Sequence, residues 1–210
     1  STCTLCEVGR RVLPCARHAE RRLLRNVRRQ LLVCRSIHLR SCFAVGAYAV
    51  LANGGYRVSP LLVRRIVRAS GEVVFEAPPA AALDEVQRAI PARNAFMVSS
   101  LLQEVTRSGT AAKAQATLKR PDVYGKTGTT NDSMDAWFAG YQPTLTAITW
   151  IGYDTPRKLG DRETGGGLSL PVWISFMETA LKGVPVSEPT APEGVVKLGN
   201  EWYYEEFTHG

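Results

Sequence analysis

The residues best suited to chemistry lie together in a short polar string in the second half of the chain. Lys126 would place an ammonium group at the start of a strand, alongside the hydroxyl groups of Thr127 and Thr129. A cation flanked by hydroxyl donors is suited to hold a carboxylate. Gly128 has no side chain, so a peptide backbone could approach closely there. Because Lys-Thr-Gly also occurs in ordinary exposed turns, the string indicates such a site only together with its context.

A second group of candidate ligands lies near the start of the chain. Cys3 and Cys6 form one pair and Cys15 and His18 form another, with the two-residue spacing inside each pair that zinc ligands often have. The ten Arg of residues 1–42 could contact the phosphate backbone of a nucleic acid. One hypothesis is therefore a non-catalytic binding module with a zinc-binding, nucleic-acid-binding head.

The same head has a plainer interpretation, which we favour. The eight residues between the two ligand pairs are fewer than in a usual zinc finger, and all five Cys of the chain fall within residues 1–42. This head has ten Arg, no Lys and two Glu, so the formal net charge of +7 comes from it alone. We therefore expect residues 1–42 to be non-native or translated out of frame, with no metal, no cofactor and no nucleic-acid partner.

The rest of the chain has the composition of an ordinary globular domain. The sequence is 45% hydrophobic and 21% charged, with no apolar run of the roughly 18 residues that a membrane span needs. Residues 184–210 are rich in Pro and are predicted to be a loosely ordered tail. Apolar spacing and Gly turns predict a helix ending before Asn53-Gly54-Gly55, a hairpin of residues 61–68 and 73–76, a helix over 92–105, three strands between 123 and 153, and a helix over 170–181.

Several residues near the Lys-Thr-Gly string have structural interpretations. Asp132 and Asp135 could be taken for a catalytic carboxylate pair, but turn and cap roles fit their position better. Thr110 is predicted to cap a short helix. Trp137 and Phe138 are predicted to be core residues rather than substrate contacts.

Four segments in a definite order place the Lys-Thr-Gly string in a wider pattern. With that order and spacing, the region from about residue 44 to residue 181 resembles the C-terminal part of the transpeptidase domain of a bifunctional class A penicillin-binding protein. The four segments are residues 46–56, Gly109-Thr110-Ala111, residues 125–141, and residues 150–154 followed by Thr164-Gly165-Gly166.

This resemblance implies an α/β fold over residues 43–183: a partial penicillin-binding-protein or β-lactamase-like transpeptidase fold with an antiparallel sheet and packed helices. It implies a parent enzyme that crosslinks peptidoglycan as a serine-type D-Ala-D-Ala transpeptidase, with stem peptides and β-lactams as ligands. The parent would also carry an upstream glycosyltransferase domain. An inner-membrane anchor, the parent's only membrane contact, would hold the catalytic domain in the periplasm or otherwise outside the cytoplasm.

For the site, the resemblance implies that Lys126, Thr127 and Gly128 belong to the catalytic strand that lines the cleft. Thr129 and Thr130 would contact the substrate. The backbone N–H of Thr129 would help to form the oxyanion hole, and the peptide or β-lactam would pair with the strand as an added strand.

The chain departs from the family pattern at the nucleophile. No Ser is followed by Lys three residues later and no Ser-x-Asn occurs; the nearest analogue is Thr110-Ala111-Ala112-Lys113. Catalysis in this family needs a Ser activated by a Lys one helical turn along. We therefore expect a fragment without a nucleophile that is inactive alone, and the same absence argues against a β-lactamase-like hydrolase.

Overall fold

The structure is a computed structural model that describes residues 38–59, 61, 63–78, 84–161 and 163–208. Cys3, Cys6, Cys15 and His18 lie outside the described residues, so the zinc hypothesis for the head stays a prediction. Within the described ranges, no helix combines the length and the apolar character that crossing a bilayer requires.

The described ranges contain four α-helices and seven strands, together with a few short helical turns. The helices are α1 (His38–Ala52), α2 (Ala92–Arg107), α3 (Lys113–Leu118) and α4 (Leu170–Ala180). The strands are β1 (Arg65–Val67), β2 (Val73–Glu76), β3 (Tyr124–Thr129), β4 (Ala136–Gln142), β5 (Leu145–Ile151), β6 (Val195–Leu198) and β7 (Glu201–Tyr204). The short turns are 3-10 helices at Glu85–Gln87, Asn131–Ser133 and Glu205–Phe207, and a π-helical turn at Gly165–Ser169.

The central sheet is antiparallel and has the strand order β3-β4-β5. Gly128 of β3 lies opposite Trp137 of β4 in the register of the two strands. A tight turn joins β4 to β5, where Oε1 of Gln142 accepts hydrogen bonds from the backbone N–H and the hydroxyl of Thr144 at 2.8 and 2.6 Å. Within the described chain β3 is therefore an edge strand, with one side paired to β4 and the other open.

Helices pack on both faces of this sheet. Side chains alternate along β4, so the strand contacts the helices on each face. Phe138 projects to one face, where its ring packs edge-to-face on Trp173 of α4 with 4.8 Å between the ring centroids. Tyr141 projects to the other face, where its hydroxyl is 2.6 Å from the hydroxyl of Ser99 in α2 and its ring contacts Tyr48 of α1. The predicted α/β fold with an antiparallel sheet and packed helices is confirmed. The buried core cluster consists of Ala111, Ala114, Val123, Phe138, Ala147, Leu170, Trp173, Ile174, Met177 and Leu181.

Helix α1 ends where the sequence predicts. The N–H groups of Asn53 and Gly55 donate to the carbonyls of Ala49 and Val50, and Gly55 has a φ of +102°. This left-handed conformation is typical of a helix C-terminus. Because α1 begins at His38, the boundary predicted at residue 42 falls inside a helix.

The predicted hairpin forms between β1 and β2, although β1 is only three residues long. Its turn is closed by a hydrogen bond of 2.9 Å from the N–H of Gly71 to the carbonyl of Arg68, and Gly71 has a positive φ of +86°, which glycine adopts readily. All of β2 is exposed, which leaves the paired region short.

The segment after Gly183 differs from the loosely ordered tail that the sequence predicts. β6 and β7 form an antiparallel hairpin. Trp202 packs edge-to-face on Phe96 of α2 with 4.9 Å between ring centroids, and Glu206 pairs with Arg93 at 2.7 Å. The Pro residues of the segment favoured a prediction of loose order. The segment nevertheless contains two short strands, and side chains on one face of the hairpin can pack on α2.

A buried carboxylate fastens this last segment to the central sheet. Asp122 lies just before β3, is 0% exposed, and accepts hydrogen bonds from Arg120, Gln142 and the N–H of Ser187. Arg120 also donates to two backbone carbonyls of the same segment. Burial acts to raise the pKa of Asp122, but its hydrogen bonds and the charge of Arg120 together hold that pKa below its usual range.

Candidate active site

The Lys-Thr-Gly string lies where β3 leaves the protein core. The first two residues of β3 are buried, whereas Lys126 and Thr129 are exposed. Thr127 and Gly128 between them are half-buried. The buried start fixes the strand backbone, so the exposed second half is presented to solvent on a rigid element.

Lys126 and two threonine hydroxyls form a connected polar group. Nζ of Lys126 donates to the carbonyl oxygen of Thr127 at 2.9 Å and to its Oγ1 at 3.2 Å. The same Oγ1 lies 2.9 Å from Oγ1 of Thr110, which belongs to the loop between α2 and α3. An ammonium group beside two hydroxyls can hold a carboxylate through charge-assisted hydrogen bonds.

Thr110 does not have the capping role that the sequence predicts. Helix α3 begins at Lys113, and its N-cap residue is Ala112, without a side-chain cap. The hydroxyl of Thr110 is directed instead to Thr127. The contact joins residues 17 positions apart, so no local pattern could have shown it.

The loop that carries Thr110 is fixed on both sides. Ala111 is 0% exposed, and its N–H donates to the carbonyl of Val105 at 3.1 Å. A Cβ added to Gly109 would lie 2.9 Å from Cα of Val105, so the chain can turn this tightly only with glycine there. Thr110 is therefore held at one place relative to β3.

A glycine turn, Gly165–Ser169, packs against the same strand. A Cβ on Gly165 would lie 2.3 Å from the carbonyl oxygen of Trp137 and 2.5 Å from that of Gly128. The N–H of Gly165 donates to Oγ1 of Thr129 at 3.1 Å. Gly165 thus allows the turn to pack closely against the backbones of β3 and β4.

Thr130 lies outside β3, in the turn that leads to β4. Its Oγ1 accepts a hydrogen bond from the N–H of Asp135 at 2.8 Å, and its own N–H donates to the Asp135 carbonyl at 3.1 Å. A carboxylate oxygen of Asp135 accepts the indole N–H of Trp150 at 2.8 Å, and Asp132 occupies the same turn with a φ of +60°. Both aspartates therefore serve the turn, whereas a substrate contact of Thr130 stays a prediction.

Two stacked tyrosines lie at the buried end of β3, one in β3 and the other in β4. The rings of Tyr124 and Tyr141 are 4.9 Å apart and inclined by only 13°. Burial, opposed in part by the hydrogen bond with Ser99, raises the pKa of Tyr141 to about 12. Burial also raises the pKa of Tyr124. Both phenols are therefore protonated near neutral pH and contribute to the core rather than act as bases.

The geometry defines a class of site. An antiparallel sheet with helices on both faces presents an exposed Lys-Thr-Gly edge strand, the arrangement of a penicillin-recognising acyltransferase. The described ranges contain no group of three or more His, Cys, Asp or Glu side chains that could hold a metal ion.

Comparison with known protein families leads to the same class. A model of the penicillin binding protein transpeptidase domain matches residues 44–177. The chain belongs to this family, which confirms the resemblance drawn from its four sequence segments.

Known relatives and solved structures show how much of such a protein the chain represents. It is 44% identical over 159 residues to penicillin-binding protein 1A of Neisseria flavescens, which covers 76% of this chain and 20% of that protein. Its fold resembles penicillin-binding protein 1A from Haemophilus influenzae with a TM-score of 0.66 and 30% identity, covering 73% of this chain and 28% of the other. It also resembles PonA1 of Mycobacterium tuberculosis in complex with penicillin V, with a TM-score of 0.54 and 30% identity over 71% of this chain and 39% of the other. The chain thus spans about a fifth of the Neisseria relative's length.

Proposed function

We propose that this chain is the C-terminal part of a D-Ala-D-Ala transpeptidase that crosslinks peptidoglycan stem peptides by serine acyl transfer. One observation carries the proposal: the ammonium group of Lys126 donates a hydrogen bond to the hydroxyl of Thr127 in the second half of edge strand β3, where the strand is no longer buried. The family membership of residues 44–177 supports the reaction class. In this proposal the chain supplies the part of the site that binds the donor peptide.

The terminal carboxylate of the donor peptide would lie against Lys126, Thr127 and Thr129. The hydroxyl of Thr129 accepts the N–H of Gly165, so its own proton remains able to donate to a ligand. One ammonium and two hydroxyls can together satisfy both oxygens of a carboxylate. Binding should therefore depend on the charge of the ligand, and Lys126 should contribute most to it.

The peptide itself would extend along the open edge of β3. Edge strands offer unpaired N–H and C=O groups, to which an extended peptide can add as a further strand. Gly128 leaves room for the ligand backbone because it has no side chain. The backbone N–H of Thr129 would then donate to the oxyanion that forms during acyl transfer.

The covalent steps need a serine that this sequence does not supply, since no Ser-x-x-Lys occurs in it. We propose that a serine of the remaining transpeptidase domain attacks the carbonyl of the penultimate D-Ala. An ester forms, the peptide bond breaks, and the serine proton passes to the amine of the departing D-Ala. An amine of a neighbouring stem peptide then displaces the serine oxygen, which forms the crosslink and restores the serine hydroxyl.

β-Lactams would acylate the same serine, with their carboxylate in the place of the peptide carboxylate. The complex of PonA1 with penicillin V, a structure that shares the fold of this chain, supports this part of the proposal. For the whole protein we propose an upstream glycosyltransferase domain and an inner-membrane anchor, with the transpeptidase domain on the periplasmic side. The 20% share of the Neisseria relative that the chain covers leaves room for these parts.

The proposal can be tested with a chimera. In this chimera, residues 44–177 replace the matching segment of penicillin-binding protein 1A from N. flavescens. Fluorescent penicillin should acylate the serine of the chimera. Lys126→Met should lower the acylation rate constant by about tenfold to a hundredfold, the size of one hydrogen bond to a charged group.

Lys158→Met is the matched control in the same chimera. Lys158 is an exposed lysine whose nearest carboxylate, that of Asp132, is 3.9 Å away, and such surface pairs contribute little. The control should leave the acylation rate unchanged. Equal rates for the two lysine variants would overturn the assignment of Lys126 to the ligand carboxylate.

A further inference from the structure

We propose that Thr110 is a positioning residue that directs the hydroxyl proton of Thr127 toward the substrate carboxylate. The inference rests on the proposed function, because it concerns the same carboxylate site. Its starting point is the distance of 2.9 Å between Oγ1 of Thr110 and Oγ1 of Thr127, across which either hydroxyl could donate.

The contacts of Thr127 limit what its hydroxyl can do. A threonine hydroxyl has one proton to donate and two lone pairs that accept. Nζ of Lys126 lies 3.2 Å from Oγ1 of Thr127, and since an ammonium group only donates, it occupies one lone pair. The contact with Thr110 must then use either the second lone pair or the proton of Thr127.

Only one of these two arrangements suits an anionic ligand. If Thr127 donated to Thr110, its hydroxyl would present a lone pair to the carboxylate, and that contact would be repulsive. If Thr110 donates, both lone pairs of Thr127 are occupied and its proton points in the remaining direction, where a carboxylate oxygen can accept it. A bound carboxylate therefore selects Thr110 as the donor.

Thr110 is held where this role requires it. The neighbouring Ala111 is buried in the core and is tied by its N–H to the carbonyl of Val105 at 3.1 Å. A Cβ on Gly166 would lie 3.4 Å from the carbonyl oxygen of Thr110 and 3.8 Å from Cγ2 of Thr127, so the glycine turn packs beside both threonines. The hydroxyl pair is thereby preorganised before a ligand arrives.

The test is an NMR titration of the full chain with two probes, N-acetyl-D-alanyl-D-alanine and its C-terminal amide. Only the first probe carries a carboxylate. Thr110→Val should weaken binding of the acid by about threefold to tenfold, the size of one hydrogen bond, and leave binding of the amide unchanged. Thr110→Ser keeps the hydroxyl and should restore binding of the acid. Thr179→Val, at an exposed threonine of α4, should change neither.

Equal weakening of both probes by Thr110→Val, or no rescue by Thr110→Ser, would show that Thr110 only packs and would overturn the inference. A second readout needs no ligand: three-bond couplings should report one χ1 rotamer for Thr127 in the wild type and the Ser variant, and averaging in the Val variant. An unchanged Thr127 rotamer in the Val variant would also overturn it.

The proposed function fails by a different result. If Lys126→Met binds the acid as tightly as the wild type does, the carboxylate site itself is refuted, whatever the Thr110 variants do. If the wild-type chain binds neither probe, the proposed function loses its support, and the couplings of Thr127 still decide whether Thr110 orients that side chain.

Discussion

Asp122 shows how a residue that is remote from any ligand can support the site strand. Its carboxylate is fully buried immediately before β3 and joins Arg120 to Gln142 and to the N–H of Ser187. Arg120 is itself only 12% exposed along its side chain, so each partner depends on the other for a counter-charge. Removing either one would leave a buried charge unpaired next to the strand that carries Lys126.

Asp122→Asn should lower the free energy of unfolding at neutral pH by about 3 kcal/mol, the usual cost of breaking a buried ion pair from one side. Because the folded-state pKa of Asp122 lies below the unfolded value of about 3.9, its contribution is complete above that value. The contribution is lost as the pH falls through the folded-state pKa. The difference between wild type and variant should therefore shrink on acidification.

Urea denaturation at about pH 7 and about pH 3 measures this difference. Glu76→Gln is the control, because the exposed pair of Glu76 with Arg65 has a separation of 3.9 Å and should contribute almost nothing. A difference for Asp122→Asn that grows at the lower pH would contradict the assignment.

Lys126, Thr127 and Gly128 could be predicted as site residues from the sequence because they are contiguous and belong to an ordered set of segments. The contact of Thr110 with Thr127 and the bond of Asp122 with Ser187 could not, since they span 17 and 65 positions. Such contacts depend on how the elements pack, and no local spacing encodes them. The sequence consequently indicates the candidate ligand-binding residues but not the long-range contacts that Thr127 and β3 make with the rest of the fold.

At the scale of elements, the packing of the turn Gly165–Ser169 against β3 and β4 fixes the shape of the site strand. Ser169 donates from its hydroxyl to the carbonyl of Ala136 at 2.7 Å, and Gly165 donates from its N–H to Thr129 at 3.1 Å. The turn therefore forms hydrogen bonds with both β3 and β4, next to the exposed end of β3. Gly165 is required there by space, because a Cβ would lie 2.3 Å from the carbonyl oxygen of Trp137.

Gly165→Ala should destabilise the protein by about 1–3 kcal/mol, the usual cost of forcing an extra carbon into a packed region. The added Cβ would meet backbone atoms at 2.3 and 2.5 Å, which can move only if β3 and β4 move. Thermal unfolding measures the loss. Gly46→Ala in α1 is the control, where nothing lies within 4 Å of the added atom, and it should be neutral or stabilising. Equal stability of the two variants would show that the turn is not close-packed.

The sequence predicted most elements of the central layer, because apolar spacing marks α2 and strand-forming runs mark β3, β4 and β5. The β6–β7 hairpin was not predicted. Its stability comes from contacts with α2, such as that between Trp202 and Phe96, rather than from local propensity. Elements that depend on a distant partner in this way are the ones that sequence patterns miss.

At the scale of the whole molecule, the chain combines the strand proposed to bind the ligand with a sequence that lacks Ser-x-x-Lys. It spans about a fifth of the length of penicillin-binding protein 1A from N. flavescens. In the proposed enzyme, one stretch of the transpeptidase domain would thus bind the donor peptide, and a separate stretch would supply the serine nucleophile. The chain should bind the ligand carboxylate through hydrogen bonds but form no covalent bond to the ligand.

Intact-mass spectrometry after exposure to benzylpenicillin tests whether the nucleophile lies outside this chain. No adduct should form on the 210-residue chain, and one adduct should form on the chimera, at the serine contributed by the Neisseria relative. An adduct on the chain alone, mapped to one of its own Ser or Thr residues, would contradict the division, as would a folded chimera that stays unlabelled.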